Sequence, residues 1–461
     1  MFADSRRLNF ILFIVYKFLL DVTYVTIQSE VFAYSGYDRV ISADRYFIGW
    51  AVFLVTTYFV CKWHNNLYSL FMYIIHLMTM VPFIVFYQFF PECELWMVLV
   101  QCFGLLFMMV IFCVRREGIF SIGSLDFVSF NNNTRKFNFN DTKFQIILIV
   151  GLVAFFAISF VEYGVPTLES MLFANVYETR AEAESTSLIL VLFQNLFCKI
   201  LLPFCIMWYA KNKQWLLMGV CLSVQIYTYA VTGLKTYLFI PIVLMAIYFV
   251  KNLNIERIAL CGIIAVTILV DVLYYSGQDI IWYALVGNRL FFLPARIKFS
   301  YFDYFSHHDF ANFSQSSFAH VFGVTSNYFD NIPNMIGDLY FNKPQMWTNT
   351  GFIADAYSNL GVIGIILMSI VLAIALRYSN KIVSDIPSPY NNMVKAIFLI
   401  FFIALNDGAV ISVLFSGGMI AAIIIFNYLS FDNNQEGDEY DYDEDFDEDN
   451  IELKIKYNEG N

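Results

Sequence analysis

Apolar runs of about 18 to 24 residues recur along most of the chain, and each is long enough to cross a hydrocarbon layer about 30 Å thick as a helix. Read in order, they predict twelve helices near residues 8–27, 46–61, 67–90, 95–113, 144–161, 188–209, 214–231, 236–250, 258–275, 357–376, 391–406 and 409–429. Only Asn406–Gly408 separates the last two, which can also be read as one re-entrant hairpin. The expected fold is an all-α polytopic membrane protein, with residues 1–430 as the transmembrane domain and a large loop between helices 9 and 10.

Composition supports this solvent assignment. Of 461 residues, 59% are hydrophobic and 14% charged, against about 25% charged in soluble domains. Much of the tyrosine and tryptophan lies at the ends of apolar runs, where amphipathic rings suit a membrane interface. Cysteines such as Cys61, Cys102, Cys198 and Cys205 lie within or beside apolar runs, with no CxxC pair. They read as small core residues rather than metal ligands or structural disulfides. The opening MFADSRRLNF is followed by an apolar run without a small-residue cleavage site, so it reads as a retained first helix.

An even number of spans puts both termini on one side. Placing the N-terminus in the cytoplasm sets fifteen lysines and arginines inside, before the tail is counted, and eight outside. The positive-inside rule favours that orientation. The net charge of −11 belongs to residues 431–461, which hold thirteen acids and two lysines. This self-repelling, low-complexity tail is expected to be disordered and cytoplasmic, and it has no EF-hand glycine or ligand spacing.

Two outer segments exceed what a connection needs: residues 162–187 and 276–356. The second is aromatic, punctuated by proline and glycine, and without a polar tract. It is expected to fold against the membrane, with short amphipathic helices around residues 279–305.

Cations on the outer side oppose the positive-inside rule and are the first candidates for function. Arg180, Lys235, Arg289 and Arg296 suit a membrane-anchored diphosphate, because guanidinium forks pair phosphate oxygens and lysine adds a point charge. They serve equally well as interfacial anchors snorkelling to headgroups. The stretch YFDYFSHHDF sets Asp303, His307, His308 and Asp309 beside Tyr301 and Tyr304. Aromatic faces and carboxylates suit a sugar, and a carboxylate or imidazole can deprotonate an acceptor hydroxyl. The same residues also fit an ordinary surface loop, and their spacing matches no zinc motif.

Within the spans, Lys17 and Asp21 lie four apart and share a helix face, as do Asn195 and Lys199, while Glu162 and Asp271 lie near outer ends. Structural pairing is the simpler reading and a proton relay the rival. No GxxxxGK[ST] motif occurs, and no GxGxxG follows a strand, so energy or activated sugar comes from a lipid-linked donor or an ion gradient.

The runs GNRLFFLPARIKFSYFDYF (287–305), NTGFIADAYSNLGVIGIIL (349–367) and DGAVISVLFSGG (407–418), with TGLKTYLFIP (232–241), resemble the O-antigen (oligosaccharide repeat unit) polymerases, the Wzy family. With the span count, the resemblance covers most of the chain apart from the tail. It implies a GT-C-like, metal-independent, inverting glycosyltransferase of the bacterial inner membrane. Such an enzyme moves a growing glycan from undecaprenyl diphosphate onto an incoming undecaprenyl-diphosphate-linked repeat unit at the outer face. Arg180, Lys235, Arg289 and Arg296 would hold the diphosphate, Asp303 or His308 would be the base, and Tyr301, Tyr304, Asn349 and Asp355 would contact sugar. No cofactor and no nucleic acid is expected. The partners implied are the bilayer, a flippase and a chain-length regulator. One spacing departs from that of some relatives, in which arginine is followed eleven residues later by glycine: the positions after Arg180, Arg289 and Arg296 are Val191, Ser300 and His307.

An O-antigen ligase would use the same donor and topology. A flippase or ion-coupled exporter also explains many spans and buried charges, but it predicts two repeated halves with helices interrupted at corresponding positions. No such symmetry relates residues 1–210 to 211–430.

Overall fold

The computed structural model describes residues 2–62, 67–114, 137–138, 142–167, 188–249, 255–277, 280–316, 319, 323–387 and 390–430. The acidic tail and most of the 162–187 segment, Arg180 included, lie outside the described residues. What is described is helical throughout, save for a parallel bridge between Phe137–Asn138 and Leu429–Ser430.

The elements used below are α1 (Phe2–Thr23), α2 (Ala43–Lys62), α3 (Leu67–Ile75), α4 (Val81–Phe89), α5 (Leu95–Val114), α6 (Thr142–Tyr163), α7 (Leu188–Leu196), α8 (Leu202–Lys211), α9 (Trp215–Thr232), α10 (Lys235–Phe249), α11 (Ile255–Tyr275), α12 (Leu293–His307), α13 (Ile332–Phe341), α14 (Phe352–Asp385), α15 (Tyr390–Ala404), α16 (Val410–Leu414) and α17 (Met419–Tyr428). Among the described residues nine helical segments are long and apolar enough to cross a membrane. The chain is an all-helical polytopic membrane protein.

Nine of the twelve expected spans meet that length and apolarity among the described residues. The other three expected places also hold helices, but α10 and α15 are short and α2, with Asp44, Arg45 and Lys62, is not among the nine. The periodicity near 279–305 is realised as Ile281–Tyr283, a π-helical stretch Ala284–Phe292 and then α12.

Proline explains three irregular turns by one mechanism. Pro82, Pro203 and Pro294 each follow a π-helical stretch by two residues: His76–Met80, Phe197–Leu201 and Ala284–Phe292. The ring has no N–H and clashes with the carbonyl four residues back, so the ladder widens there rather than break. In this way α3 continues into α4, and α7 into α8, as candidate spans of 23 residues each.

A different device interrupts α14. At 34 residues it would measure about 51 Å, well beyond the hydrocarbon thickness. Leu360 and Gly361 leave helical geometry, with Gly361 at φ +60°, where other residues are strained. Residues 352–359 are therefore a separate half-helix. Its far end is capped by the 311–313 turn, since Ala311 N–H donates to Ser358 O and Asn312 N–H to Asn359 O, both at 2.9 Å. The helix beyond the break turns back tightly, so that a Cβ on Gly364 would meet Ala356 O at 2.1 Å.

The end of the chain is broken in a similar way. α15 stops at Ala404, α16 runs for five residues, and Gly418 at φ +100° precedes α17. The 391–406 and 409–429 runs are thus one helix and two helical pieces joined by bends. The core unites these elements, with α5 against α14, α8 against α9, α1 against α11, α2 against α4, and α12 against both α4 and α14.

Candidate functional site

The half-helix 352–359, α12 and the 405–409 bend meet at one end of the bundle, and the side chains expected to carry chemistry divide there into two tiers.

The outer tier is a set of part-buried and exposed groups on α12 and α13. Tyr340 donates its hydroxyl hydrogen bond to Asp303 Oδ2 at 2.6 Å. Burial, followed by the adjacent Asp303 carboxylate, raises the Tyr340 phenol above its ordinary range. His308 stacks on Tyr304 with ring centres 4.0 Å apart and planes 2° off parallel, and its Nδ1 lies 2.8 Å from Tyr304 O. A backbone partner at Nδ1 leaves Nε2 as the nitrogen directed elsewhere. Asn349 is exposed on the same side, and Arg289 and Lys235 are exposed as well.

Arg296 is placed otherwise. Its guanidinium donates to Ser35 O and, at 3.1 Å, to Tyr340 O, and it lies over the rings of Phe341 (4.7 Å) and Tyr37 (5.1 Å). It ties the 33–36 turn to α13, and burial lowers its pKa. Those donors are taken up within the protein.

The inner tier is more enclosed and more unusual. α12 packs with Ala295, Lys298, Phe299, Phe302 and Phe305 inward, so Lys298 sits in the middle of an apolar stripe and is 1% exposed. Its ammonium makes no hydrogen bond among the described residues. The acid that acts on it is Asp407, and burial outweighs that attraction, lowering Lys298 to about 8. Its Cε lies 3.1 Å from where a Cβ would stand on Gly351, and the same imagined Cβ lies 2.4 Å from Asn406 O. Glycine is required there for the half-helix to begin between Lys298 and the 405–409 bend.

One turn along α12 from Lys298, Tyr301 donates to Thr348 O at 3.0 Å. Burial, and secondarily the charge of Asp355, push the Tyr301 phenol upward. Asp355 stands one turn into the half-helix, its N–H bonded to Gly351 O at 3.0 Å. Asp355 is half-buried and its carboxylate takes no hydrogen bond among the described residues, while Thr350 Oγ1, next to Gly351 in the chain, is buried without a partner. Asn406, at the 405–409 bend, accepts from Thr79 Oγ1 and donates to Asp407 Oδ1 at 2.9 Å. Buried polar groups are normally satisfied, so the orphaned Thr350 Oγ1, with Lys298 and Asp355 also without hydrogen bonds among the described residues, marks this inner tier as the candidate site.

The structure thus brings Tyr301 and Asp355 together, with Asp303, Tyr304 and His308 farther along α12 and away from the chamber's two charges. Arg180 lies outside the described residues. Lys298 was counted in the sequence only as an outer cation, and Asn406 and Asp407 only as a break between runs. A helical wheel over 293–307 would have found Lys298 on the apolar face. Nothing local announces that residues near 298, 351 and 406 converge.

Elsewhere, Lys17 and Asp21 pair as their spacing predicts, at 2.6 Å. Asp271 accepts from Thr23 Oγ1 at 2.6 Å. Asn195 does not pair with Lys199: it bonds Ser416 O at 2.8 Å and Tyr237 OH at 3.1 Å. Among the described residues no cluster of three His, Cys, Asp or Glu side chains is arranged to hold a metal. Comparison with protein-family models, with curated proteins and with solved structures finds no match for this chain.

Proposed function

We propose that this chain polymerises undecaprenyl-diphosphate-linked oligosaccharide repeat units into an O-antigen or capsular-type polysaccharide at the outer face of the bacterial inner membrane. The observation that carries the reading is the two-tier arrangement. An aromatic and carboxylate surface on α12 and α13 lies beyond an inner tier with a buried lysine and a half-buried aspartate, neither with a hydrogen-bond partner among the described residues. Sugar rings suit the first tier, which offers faces for stacking and acceptors for hydroxyls. A diphosphate and a reacting hydroxyl suit the second, where a cation and a carboxylate act in a low-dielectric interior. The sequence runs resembling repeat-unit polymerases, 287–305, 349–367 and 407–418, supply most of both tiers.

Deleting the gene in its own host and running the surface glycan on a gel tests the reading. The expected result is collapse of a ladder to lipid core carrying one repeat unit. Loss of every unit from the core would point to the ligase or the exporter.

The ion-coupled exporter is kept as a second reading because of specific features. α14 is broken at Leu360–Gly361, the 410–428 span is broken at Phe415–Gly418, and Lys199 sits in a π-helical turn within a candidate span with no acid paired to it among the described residues. Interrupted helices and unpaired intramembrane charge are the features that transporters use at their binding sites.

A further inference from the structure

We propose that Asp355 is the general base of the transfer reaction and that Lys298 is the cation that holds the departing diphosphate. This inference rests on the polymerase reading and changes which residues perform it.

Of the carboxylates near the loop end of the bundle, Asp303, half-buried like Asp355, is already engaged, accepting the Tyr340 hydroxyl at 2.6 Å. Asp355 is not engaged. It is half-buried, one turn from the start of the half-helix, and among the described residues its oxygens meet no donor. A carboxylate that must take a proton from an alcohol is weakened as a base by every hydrogen bond it accepts, so the group without donors is the better base.

Lys298 complements it. It is sequestered with the single acid Asp407, which is itself exposed, so its charge is not cancelled by a close ion pair. Two phosphate oxygens gaining charge are the kind of partner an ammonium in this position lacks. Gly351 leaves room at Lys298, because a side chain there would fill the space beside its Cε. Tyr301, fixed through Thr348 O, lies one turn along α12 from Lys298 and close enough to Asp355 to feel its charge.

The step balances as follows. The acceptor sugar's hydroxyl oxygen forms a bond to the donor's anomeric carbon as its proton passes to the Asp355 carboxylate. The bond from that carbon to the diphosphate oxygen breaks, and its electron pair leaves on the polyprenyl diphosphate against the Lys298 ammonium. The products are a glycan longer by the transferred chain, free polyprenyl diphosphate and a protonated Asp355, which returns its proton to water.

The test expresses the full chain in the gene-deleted host as wild type, Asp355→Asn, Asp355→Glu, Lys298→Met and Lys298→Arg. Polymer is normalised to membrane-inserted protein, and binding of undecaprenyl diphosphate is measured on each purified protein. The account expects wild type to restore the ladder and Asp355→Asn to lose about 100-fold or more of polymer per inserted molecule while binding the diphosphate as wild type does. Lys298→Met should weaken diphosphate binding about tenfold or more, with Lys298→Arg recovering part of it. Asp355→Glu, which keeps a carboxylate, should exceed Asp355→Asn. A full ladder from Asp355→Asn, or diphosphate binding unchanged in Lys298→Met, overturns the assignment while leaving the polymerase reading intact. If wild type itself makes no polymer, the underlying reading fails.

Discussion

Lys17 and Lys298 are both lysines enclosed in the apolar bundle, 0% and 1% exposed, and the surroundings of the two are opposite. Lys17 is saturated. It reaches both oxygens of Asp21 at 2.6 Å, donates to Gln88 Oε1, and lies over the rings of Trp50 (4.6 Å) and Tyr46 (5.6 Å). Gln88 in turn donates to Tyr46 O at 2.8 Å, so α1, α2 and α4 are joined through one closed polar network. Lys298 has no such shell. A buried charge that is fully paired holds helices together, and one left without hydrogen bonds is available to something that arrives.

Mutation separates the two most sharply. Lys17→Met strands the Asp21 carboxylate in the interior and is expected to destabilise the protein by about 3–5 kcal/mol. This would read as a lowered melting temperature of the detergent-purified protein, and the pair Lys17→Met with Asp21→Leu should recover most of the loss. Lys298→Met strands no buried acid, because Asp407 is exposed, and should melt at or above the wild-type temperature. Equal losses from Lys17→Met and Lys298→Met would dissolve the distinction.

Gly351→Val probes the wall of the chamber. Its Cβ would meet the Asn406 carbonyl at 2.4 Å, a backbone atom that cannot swing aside, so about 1–3 kcal/mol of stability should be lost together with polymer. Gly219→Ala, where a Cβ meets nothing within 4 Å, is the matched control.

pH offers a gentler handle. Burial holds Lys298 at about 8, so its ammonium is charged below that pH and neutral above it. Grip on an anion is therefore present at neutral pH and lost as pH rises through about 8, the charged fraction falling about tenfold per unit beyond it. Diphosphate binding titrated from neutral to alkaline pH should follow that fall, and Lys298→Arg, which stays charged, should flatten it. The smallest expected effect is that of Tyr340→Phe. Losing one part-buried hydrogen bond to Asp303 should cost about 1 kcal/mol and modestly weaken sugar contacts, seen as a raised KM with kcat nearly unchanged.

The legible part of this molecule is the part written in local periodicity. Apolar runs located the helices, the i,i+4 spacing of Lys17 and Asp21 announced their pairing, and the aromatic stretch after residue 279 announced helices in the large loop. The count of spans was less legible, because α10 and α15 are short and α2 carries Asp44, Arg45 and Lys62. Gly361 is intelligible only through the Phe310 ring beside it, 2.8 Å from where its Cβ would be. The chamber was the least legible feature. Its lysine, aspartate and asparagine come from three segments separated by about fifty residues each, and only long-range packing brings them to one place. Aromatic and histidine content drew attention to residues 301–310, on the outward side of the same helix.

The most direct test of the central claim is reconstitution of the purified protein in lipid vesicles with a synthetic undecaprenyl-diphosphate-linked repeat unit, followed by mass spectrometry of the lipid-linked products. The account predicts products carrying two, three and more repeat units on one lipid, with free undecaprenyl diphosphate released at each addition. Single repeat units that remain single, whether or not they cross the bilayer, would contradict it.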